Sequence, residues 1–493
     1  MSQRSQLSDM SETIAVSGAT NFIAGRWIPS LDGSVYKRRN PWRPAEILGE
    51  CPNSGSGEVA AAVGAAEAAY PDWSGLPAAV RGAYLARAAD AIEARVEEIA
   101  QDMTREMGKP LRESRGEAGR AAAILRFFAG EGLRPVGSLF EQSATGATVY
   151  TRRRPLGVVG LITPWNFPLA IPTWKAAPAL AYGNTVVLKL AQDSPLTGIH
   201  LARAFEAAEL PPGVLNVVIG RGSQVGGPLV GDRRVRAISF TGSVSVGEGV
   251  RDRATAGGKR VQLELGGHNP LIVAADAQLD AAVQAAFAGA YFSAGQKCTA
   301  TRRIFVAREI YAEFRAGLLA RIGQGRVGDP ADPDTEVGPL VNQNQFDEVM
   351  AGIARGRDQG GTVIAGGERA DADAYLIAPT LFEGVADDAF LSCEEVFGPV
   401  ASLYPFDTIA EAIERANSVR FGLSAAVFTG SLETAQRCVN GLQAGILHVN
   451  SQTAGADVHV PFGGTKESGF GPHEQGSAAV QFYTEEVTVY QDV

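Results

Sequence analysis

Five short apolar runs, separated by segments compatible with helices, constrain the fold of this chain most strongly. They are rich in valine, leucine and isoleucine, and they begin at Leu156, Asn184, Val214, Arg236 and Arg260. One intervening segment, SPLTGIHLARAFEAAEL, has Ser194 placed as an N-cap and Pro195 at the first helical position. Strands that alternate with helices predict βαβ units and an α/β fold built on a mostly parallel sheet.

A second region of alternating strands and helices begins near Asn269. The runs NPLIV, RRIFV and ASLYPF are typical of strands, and QLDAAVQAAFAGAYF is typical of a helix. The glycine pair Gly266–Gly267 is the predicted boundary between the two regions. The earlier segment from Asp72 to Gly130 has apolar residues at helical spacing. The C-terminal EEVTVYQDV is β-prone and could pair with an edge strand of another subunit.

Charge and hydropathy argue against two classes of partner. The formal net charge of −10 disfavours broad binding to nucleic acid or to an anionic membrane. The N-terminal MSQRSQLSDMSETIAVSG is polar, which predicts a mobile tail and no secretory signal. No run approaches the roughly 20 apolar residues of a membrane span. We therefore expect no nucleic-acid partner and no membrane insertion.

The cysteines and histidines predict no metal site. The chain has four cysteines without metal-finger spacing, and its five histidines form no ligand cluster. In a chain of 493 residues, reduced thiols in a cytoplasmic setting are the simpler interpretation.

Two glycine-containing turns follow predicted strands and are candidates for cofactor binding. Gly220, Gly222 and Gly226 form G-x-G-x-x-x-G, one residue longer than the usual dinucleotide fingerprint. The segment Thr241–Gly242–Ser243 opens a helix whose N–H groups could face a pyrophosphate. A plain loop and an ordinary serine-capped helix are the structural alternatives. Lys189, at the end of a strand, could reach a ribose or phosphate, or could simply be solvated.

Three further residues are candidates for catalysis. Asn166 lies in PWNFP, where two prolines stiffen the loop, and a rigid side-chain amide suits an oxyanion donor. Glu264, near a strand end in LELGGHNP, could act as a general base. Cys298, in GQKCTA, is a candidate nucleophile if its thiol is ionised, and Lys297 is its neighbour. The alternatives are a satisfied turn asparagine, a solvated glutamate and an inert core cysteine.

Taken together, these segments resemble the NAD(P)-dependent aldehyde dehydrogenase superfamily. The motifs PWNFP, FTGS, LELGGHNP, GQKCTA, EEVFGPV and PFGGTKESGFG occur in one order, and the resemblance runs from about Phe22 to the C-terminus. It implies that Cys298 attacks the aldehyde carbon and that Asn166, with the Cys298 N–H, holds the oxyanion. It implies that hydride passes to the nicotinamide and that Glu264 activates the water that hydrolyses the thioester.

The resemblance also implies the cofactor contacts. These are Thr163, Trp165, Lys189, Gly222, Gly226, Thr241, Gly242, Ser243, Glu395 and Phe397. One position departs from the family pattern, because Gln192 stands where many members have a glutamate that binds the ribose. The neutral Gln192 would not repel a 2′-phosphate, and Arg221 could pair with it. We therefore predict that NADP is accepted; the alternative is that Gln192 binds the ribose and NAD is preferred.

Finer features resemble α-ketoglutarate semialdehyde (2,5-dioxopentanoate) dehydrogenases. Arg120 is a candidate partner for a substrate carboxylate, although a surface salt bridge is the alternative. Phe167 and Trp174 are expected to line the substrate tunnel and would suit an aromatic or aliphatic aldehyde equally well. A non-catalytic, crystallin-like protein on the same scaffold is an alternative of another class, which the intact Cys298 and Glu264 disfavour.

The family fold implies three parts. A Rossmann-like cofactor domain is expected over residues 1–132 and 156–267, and an α/β catalytic domain over 268–467. Segments 133–155 and 468–493 are expected to form a β oligomerisation arm and the C-terminal tail. A cytoplasmic homodimer or homotetramer that acts on a small aldehyde follows from the resemblance.

Overall fold

The structure is a computed structural model that describes residues 18–134, 137–141 and 146–492. Residues 1–17, for which the sequence predicts a mobile tail, lie outside the described residues, as does part of the predicted arm segment 133–155.

The helices and strands follow one another along most of the described chain. The strands are β1 (Asn21–Ile23), β2 (Arg26–Ile28), β3 (Val35–Arg39), β4 (Ile47–Pro52), β5 (Leu139–Phe140), β6 (Thr148–Pro155), β7 (Val158–Ile162), β8 (Thr185–Leu190), β9 (Leu215–Ile219), β10 (Val235–Thr241), β11 (Arg260–Glu264), β12 (Asn269–Val273), β13 (Thr301–Ala307), β14 (Thr362–Ala365), β15 (Thr380–Glu383), β16 (Val400–Phe406), β17 (Phe421–Gly422), β18 (Ser424–Phe428), β19 (Ile446–Val449), β20 (Thr465–Lys466), β21 (Gly469–Phe470) and β22 (Thr484–Gln491). The helices are α1 (Ser56–Gly75), α2 (Ala78–Glu93), α3 (Val96–Met107), α4 (Leu111–Glu131), α5 (Ala170–Ala181), α6 (Pro195–Ala207), α7 (Gly227–Gly231), α8 (Val244–Ala256), α9 (Leu279–Tyr291), α10 (Tyr311–Gln324), α11 (Gln343–Asp358), α12 (Phe390–Cys393), α13 (Ile409–Asn417), α14 (Leu432–Gly441) and α15 (Ala479–Tyr483).

The five apolar runs of the sequence become β7 to β11, the parallel centre of the first sheet. That sheet has the order β2-β1-β9-β8-β7-β10-β11-β21. Successive residues of β7 enter different cores, because Val158 and Ile162 pack on one face while Val159 and Leu161 pack on the other. Both faces are therefore covered, which is why these strands read as continuous apolar runs. The predicted α/β fold is confirmed.

The second sheet has the order β14-β15-β16-β13-β12-β18-β19 and is parallel except for β14. Its strand β13 contains the buried pair Arg302 and Arg303. Both guanidinium groups donate to backbone carbonyls, which offsets the cost of burying them, although Arg302 Nε has no partner within the described residues.

A four-residue connection containing Gly266 and Gly267 joins β11 of the first sheet to β12 of the second. A Cβ on Gly266 would collide with the Glu395 carboxylate, and one on Gly267 would collide with the carbonyl oxygen of Cys298. The glycine pair therefore lets a nucleophile candidate and a cofactor candidate approach the end of β11 closely.

The C-terminal strand β22 pairs antiparallel with β6 of the same chain along eight residues, and β5 lies on the other side of β6. The sequence had suggested a strand of another subunit as the partner. Opposite charges support the register found here, because Arg154 pairs with Glu485 and Arg153 with Glu486.

Candidate active site

The candidate site lies at the carboxyl edge of the first sheet, where the strand order reverses. After β7 the chain adds β8 and β9 on one side, then returns to add β10 and β11 on the other. The loops that follow β7 and β10 therefore diverge and leave a crevice between them. Parallel α/β sheets bind ligands at such a crevice.

A cavity of about 570 Å³ fills this crevice and reaches α11 and the segment 395–397 that precedes β16. Eight of the residues predicted from the sequence line it: Trp165, Asn166, Thr241, Gly242, Ser243, Cys298, Glu395 and Phe397. Their loops are far apart in the sequence, so the fold brings the predicted nucleophile, oxyanion donor and cofactor contacts to one place.

A left-handed turn delivers Cys298 to the cavity. Ser293 and Ala294 have φ values of 55° and 52°, which cost energy for residues other than glycine, and Gly295 follows with a φ of 67°. The Glu113 carboxylate stabilises this turn because it accepts hydrogen bonds from both the N–H and the hydroxyl of Ser293.

Asn166 and Arg302 fix the chain immediately before Cys298. Arg302 donates to the carbonyls of Gly295 and Gly398, and Asn166 Nδ2 donates to the Gln296 carbonyl at 2.9 Å. One hydrogen of the Asn166 amide remains for another acceptor. Within the described residues, the Cys298 N–H donates to no other backbone or side-chain group. Two donors are thus available for an oxyanion beside Cys298.

The Cys298 thiol is protonated at neutral pH in this arrangement. Burial raises its pKa to about 12, and the carboxylates of Glu395 and Glu264 act in the same direction. Its own N–H and that of Thr299 lower the pKa. The neighbouring Lys297 donates to the Ala288 carbonyl at 3.2 Å.

Glu264, at the end of β11, is a buried carboxylate with a free oxygen. Burial and repulsion from Glu474 raise its pKa well above the usual value, and Lys175 opposes that shift. Its Oε2 has no hydrogen-bond partner within the described residues. A carboxyl with a raised pKa and an open acceptor position is suited to take a proton from water near neutral pH.

The sequence interpretation missed Lys175 and Glu474, which form a buried ion pair with Ser239 beside it. The two residues are 299 positions apart, so no motif joins them. The available signal was Lys175 itself, a single cation in the apolar helix α5. A buried charge of this kind needs a partner.

Glu395 is held more firmly than Glu264. It accepts a 3.3 Å hydrogen bond from the Gly267 N–H, and burial raises its pKa to about 7 while Arg302 opposes the shift. Nearby, the rings of Trp165 and Phe397 lie 5.5 Å apart at 90°. These three predicted cofactor residues form one wall of the cavity.

Several buried polar groups fit a dinucleotide. The Thr241 hydroxyl has no partner within the described residues, and the Ser243 side chain leaves the first N–H groups of α8 uncapped. Lys189 is 6% exposed, and burial lowers the pKa of its ammonium to about 8. Such groups suit hydroxyl and phosphate oxygens.

The remaining predicted cofactor residues do not line the cavity. Gln192 and Arg221 are exposed and follow the neighbouring strands β8 and β9. Gly222–Gly226 forms a π-helical turn before α7, and the Thr163 N–H bonds the Lys189 carbonyl at 3.2 Å. The structure thus brings these residues to the same sheet edge.

The predicted substrate residues also lie outside the cavity lining. Phe167 lies under the Lys109 ammonium, with 3.9 Å between nitrogen and ring centroid. Trp174 lies 5.5 Å from the Phe462 ring, and the half-buried Arg120 donates to Gln475 at 3.4 Å. Arg120 therefore has a neutral partner and not the surface salt bridge considered from the sequence.

One face of α11 contributes cavity residues that the sequence interpretation missed. Gln345, Glu348, Gly352 and Arg355 all line the cavity. Their spacing of three to four residues places them on one side of a helix, which is the signal that could have identified them.

One cluster of possible metal ligands lies away from the cavity, and its side chains are already paired. Among the described residues, Glu98, Asp102 and His200 bring possible metal ligands within 4.8 Å of one another. Glu98 is bound by Arg95, and Asp102 accepts from His200 at 2.8 Å. Within the same part of the chain, no helix combines the length and apolar character that crossing a membrane requires.

Comparison with known proteins decides the family. The model of the aldehyde dehydrogenase family matches residues 27–489. The chain belongs to the aldehyde dehydrogenase family. It is therefore a member of a family of oxidoreductases, as the motifs predicted, and a non-catalytic role on this scaffold is not favoured.

Two curated relatives illustrate the range within the family. The chain is 44% identical to the alpha-ketoglutaric semialdehyde dehydrogenase of Bacillus subtilis, over 95% of this chain and 97% of the relative. It is 42% identical to a betaine aldehyde dehydrogenase of Cereibacter sphaeroides, over 96% and 97%.

Two solved structures share the fold across nearly the whole chain. An NADP-dependent enzyme of E. coli has a TM-score of 0.94 at 34% identity, covering 97% of this chain and 98% of its own. An aldehyde dehydrogenase of Bacillus cereus, solved with NAD⁺, also has a TM-score of 0.94, at 36% identity and 97% coverage of each chain.

Proposed function

We propose that this aldehyde dehydrogenase oxidises α-ketoglutarate semialdehyde to 2-oxoglutarate with NAD or NADP. The observation that carries the chemistry is the position of Cys298 in the cavity, with two oxyanion donors beside it and the carboxylates of Glu264 and Glu395 near the sulfur. The semialdehyde relative at 44% identity supports the substrate.

In the first step, the Cys298 sulfur attacks the aldehyde carbon and its proton leaves to a base. The carbonyl oxygen becomes an oxyanion, which accepts from the second Asn166 N–H and from the Cys298 N–H. A rigid donor of this kind typically lowers the activation barrier by about 3–4 kcal/mol. Lys109 supports that rigidity, because it donates to the Asn166 carbonyl at 2.9 Å.

When it is bound, the cofactor would accept the hydride that leaves the substrate carbon as the oxyanion re-forms a C=O bond, so that the carbon stays bonded to Cys298 as a thioester. Glu395, Phe397 and Trp165 would hold its nicotinamide end, and Thr241 and the start of α8 would hold its phosphates. Lys189 and Gln192 would meet the adenosine ribose, and Gly222 and Gly226 would form the adjacent turn. Because Gln192 is neutral, it would not repel a 2′-phosphate. Arg221, exposed at the same sheet edge, could pair with that phosphate.

In the last step, Glu264 takes a proton from a water that attacks the thioester carbon. The carbon–sulfur bond breaks, the acid leaves and the Cys298 thiol is restored. The raised pKa of Glu264 suits this exchange because the carboxyl can both accept and return a proton. Hydrolysis by Glu264 favours a free acid over transfer to coenzyme A.

The substrate carboxylate would meet Arg120. Burial lowers the pKa of this guanidinium, and the charges of Asp457 and Glu117 oppose that shift. Phe167 and Trp174 would cover the carbon chain of the substrate.

The arm formed by β22, β6 and β5 would join subunits of a cytoplasmic homodimer or homotetramer. Leu139 and Tyr490 are 77% and 72% exposed on this arm, so apolar surface is available for a second copy.

The test is a panel of aldehydes assayed at 340 nm with NAD⁺ and NADP⁺. We expect the highest kcat/KM for α-ketoglutarate semialdehyde, with hexanal, benzaldehyde and betaine aldehyde at least tenfold lower. A higher kcat/KM for betaine aldehyde would overturn the substrate. A kcat/KM with NAD⁺ more than tenfold above that with NADP⁺ would overturn the prediction that NADP is well used.

Arg120 is tested against Arg126, a second arginine of α4 that pairs with Asp90 and Glu93 at the surface. Arg120→Ala should raise KM for the semialdehyde acid more than KM for hexanal, whereas Arg126→Ala should change neither. Equal effects of Arg120→Ala on the KM of both substrates would contradict the proposed contact between Arg120 and the substrate carboxylate.

A further inference from the structure

The peptide group that follows Cys298 is held from its carbonyl side. Asn269 Nδ2 donates to the carbonyls of Cys298 and Ala300, both at 2.8 Å. Its Oδ1 accepts from the Ser424 N–H at 3.0 Å. The side chain is 1% exposed, so water does not compete for these bonds. The orientation of the Asn269 amide is therefore fixed by three backbone groups from two parts of the chain.

Gly267 constrains the same carbonyl from another direction. A Cβ at this position would collide with the Cys298 carbonyl oxygen, and it would also press on the Asn269 amide. The Gly267 N–H is meanwhile bonded to Glu395. The carbonyl of Cys298 thus lies between a fixed side-chain donor and a fixed stretch of backbone.

A constraint on this carbonyl is also a constraint on the next N–H. In a trans peptide the C=O and N–H bonds of one plane point in opposite directions. Holding the Cys298 carbonyl towards Asn269 therefore turns the Thr299 N–H away from Asn269. The Thr299 N–H acts on the Cys298 sulfur and lowers the pKa of the thiol.

We propose that Asn269 is a positioning residue that holds the Cys298–Thr299 peptide so that the Thr299 N–H donates to the sulfur of Cys298. A backbone N–H aimed at a thiolate forms a charge-assisted hydrogen bond, which stabilises the ionised nucleophile. The inference rests on the proposed function in one respect only, that Cys298 is the nucleophile.

Four charged side chains also interact electrostatically with the Cys298 thiol. Glu395 and Glu264 raise the pKa of Cys298. The charges of Arg302 and Lys297 also interact with the thiol. Asn269 forms none of its hydrogen bonds with these four side chains, so replacing Asn269 changes the peptide and leaves all four charges in place.

The chain contains a matched control, Asn216 of β9. Its Nδ2 also donates to two carbonyls, those of Val186 and Gly213, and its Oδ1 accepts from the Ala24 N–H. It is fully buried, and it holds strands of the first sheet and not the nucleophile loop. Equivalent substitutions at Asn216 and Asn269 should cost similar stability, but only those at Asn269 should affect the sulfur.

The experiment measures alkylation of Cys298 by iodoacetamide between pH 6 and pH 10, with peptide mass spectrometry as the readout. The half-exposed Cys393 of the same molecule is the internal reference. In Asn269→Leu, we expect the ratio of Cys298 to Cys393 alkylation at pH 7.5 to fall at least tenfold. Because burial raises the pKa of Cys298 to about 12, the whole range lies below that pKa, and the ratio should fall by a similar factor at every pH. A tenfold fall is the equivalent of a rise of about one unit in the thiol pKa. Asn216→Leu should leave this ratio unchanged.

A ratio of Cys298 to Cys393 alkylation in Asn269→Leu equal to that in Asn216→Leu would overturn the proposal. If Asn269→Leu does not fold, as judged by circular dichroism, Asn269→Ser and Asn216→Ser provide the same comparison with smaller side chains. Gly267→Ala, which pushes on the same carbonyl, should change the ratio in the same direction. If the alkylation of Cys298 is unchanged in Asn269→Ser or in Gly267→Ala, that result counts against the proposal.

Alkylation needs neither aldehyde nor cofactor, so its result is independent of the proposed substrate. A wild-type protein that oxidises no aldehyde of the panel, with the fall in the ratio present in Asn269→Leu, would overturn the function and leave the positioning role intact. Normal aldehyde oxidation by the wild-type protein, with no change of Cys298 alkylation in Asn269→Leu, would support the function and overturn the positioning role of Asn269.

Discussion

Two buried carboxylates act on the sulfur of Cys298, and the protein holds them in different ways. On the cofactor side, Glu395 accepts from the Gly267 N–H, and the charge of Arg302 limits the rise of its pKa to about 7. On the hydrolytic side, Glu264 has an oxygen without a partner in the described residues, and Glu474 repels its charge. Its pKa therefore lies well above the usual value.

The different surroundings of the two carboxylates suit Glu395 to orienting a bound group and Glu264 to proton transfer. A carboxylate fixed by a donor is suited to accept hydrogen bonds from a bound hydroxyl group, because its position is set in advance. A carboxylate without a fixed donor keeps an oxygen free for water, and its raised pKa brings proton exchange towards neutral pH. Similar burial thus serves two functions.

The largest expected effect is that of Glu264→Gln. Removing the base should slow steady-state turnover by about 10²–10⁴-fold. The first turnover should persist, because oxidation precedes hydrolysis. Stopped-flow absorbance should show a burst of reduced cofactor close to one equivalent per chain, followed by a stall.

Glu106→Gln is the matched control. Glu106 is also buried with a pKa raised to about 7, but it binds the start of α6 and lies outside the cavity lining. The Glu106→Gln substitution should lower the stability of the fold, and the turnover of this variant should show no burst followed by a stall. A Glu264→Gln protein with unchanged steady-state turnover would end the distinction between the two carboxylates.

Glu395→Gln should have the next largest effect, and of a different kind. Loss of a charge-assisted contact to the cofactor costs about 1.5–3 kcal/mol, or roughly 10–100-fold in kcat/KM for the cofactor. The slowed step is oxidation, so no burst should precede steady state. A burst in this variant like that of Glu264→Gln would make the two carboxylates equivalent.

Gln192→Glu extends the comparison by adding a carboxylate where the cofactor side lacks one. A negative charge near a 2′-phosphate should lower kcat/KM for NADP by about tenfold relative to NAD. Steady-state kinetics with both cofactors provide the ratio. An unchanged ratio would show that Gln192 does not face the phosphate.

The smallest expected effect is on the pH profile. Because the active form of Glu264 is the carboxylate, turnover should rise as pH rises through its raised pKa. Glu474→Gln removes a like charge, which lowers that pKa and should shift the acid limb of kcat to lower pH by up to about one unit. Lys175→Met should shift the limb to higher pH. Shifts in the opposite directions would contradict the assignment.

The sequence predicted the sheet edge and eight of the residues that line the cavity, but not those that α11 contributes. Cys298, Asn166 and Thr241 lie in motifs whose residue types reflect their local chemistry, and strand periodicity placed their loops. Each could be found without knowledge of distant contacts.

Residues that act through distant partners could not be found in this way. Glu474 approaches Glu264 only because the tail folds back onto the first sheet. Ser194 was expected to cap α6 with its side chain, but the Glu106 carboxylate accepts the N–H groups of Leu196 and Thr197. The carboxylate of Glu106, on α3, thus caps α6 in place of Ser194, and the sequence around α6 could not predict that contact.

The central claim is that a single sulfur, that of Cys298, carries the substrate between oxidation and hydrolysis. Mass spectrometry of Glu264→Gln after mixing with semialdehyde and cofactor tests it most directly. The account predicts one acyl adduct per chain, on the peptide that contains Cys298. An adduct on another residue, or a burst of reduced cofactor with no adduct on Cys298, would contradict it.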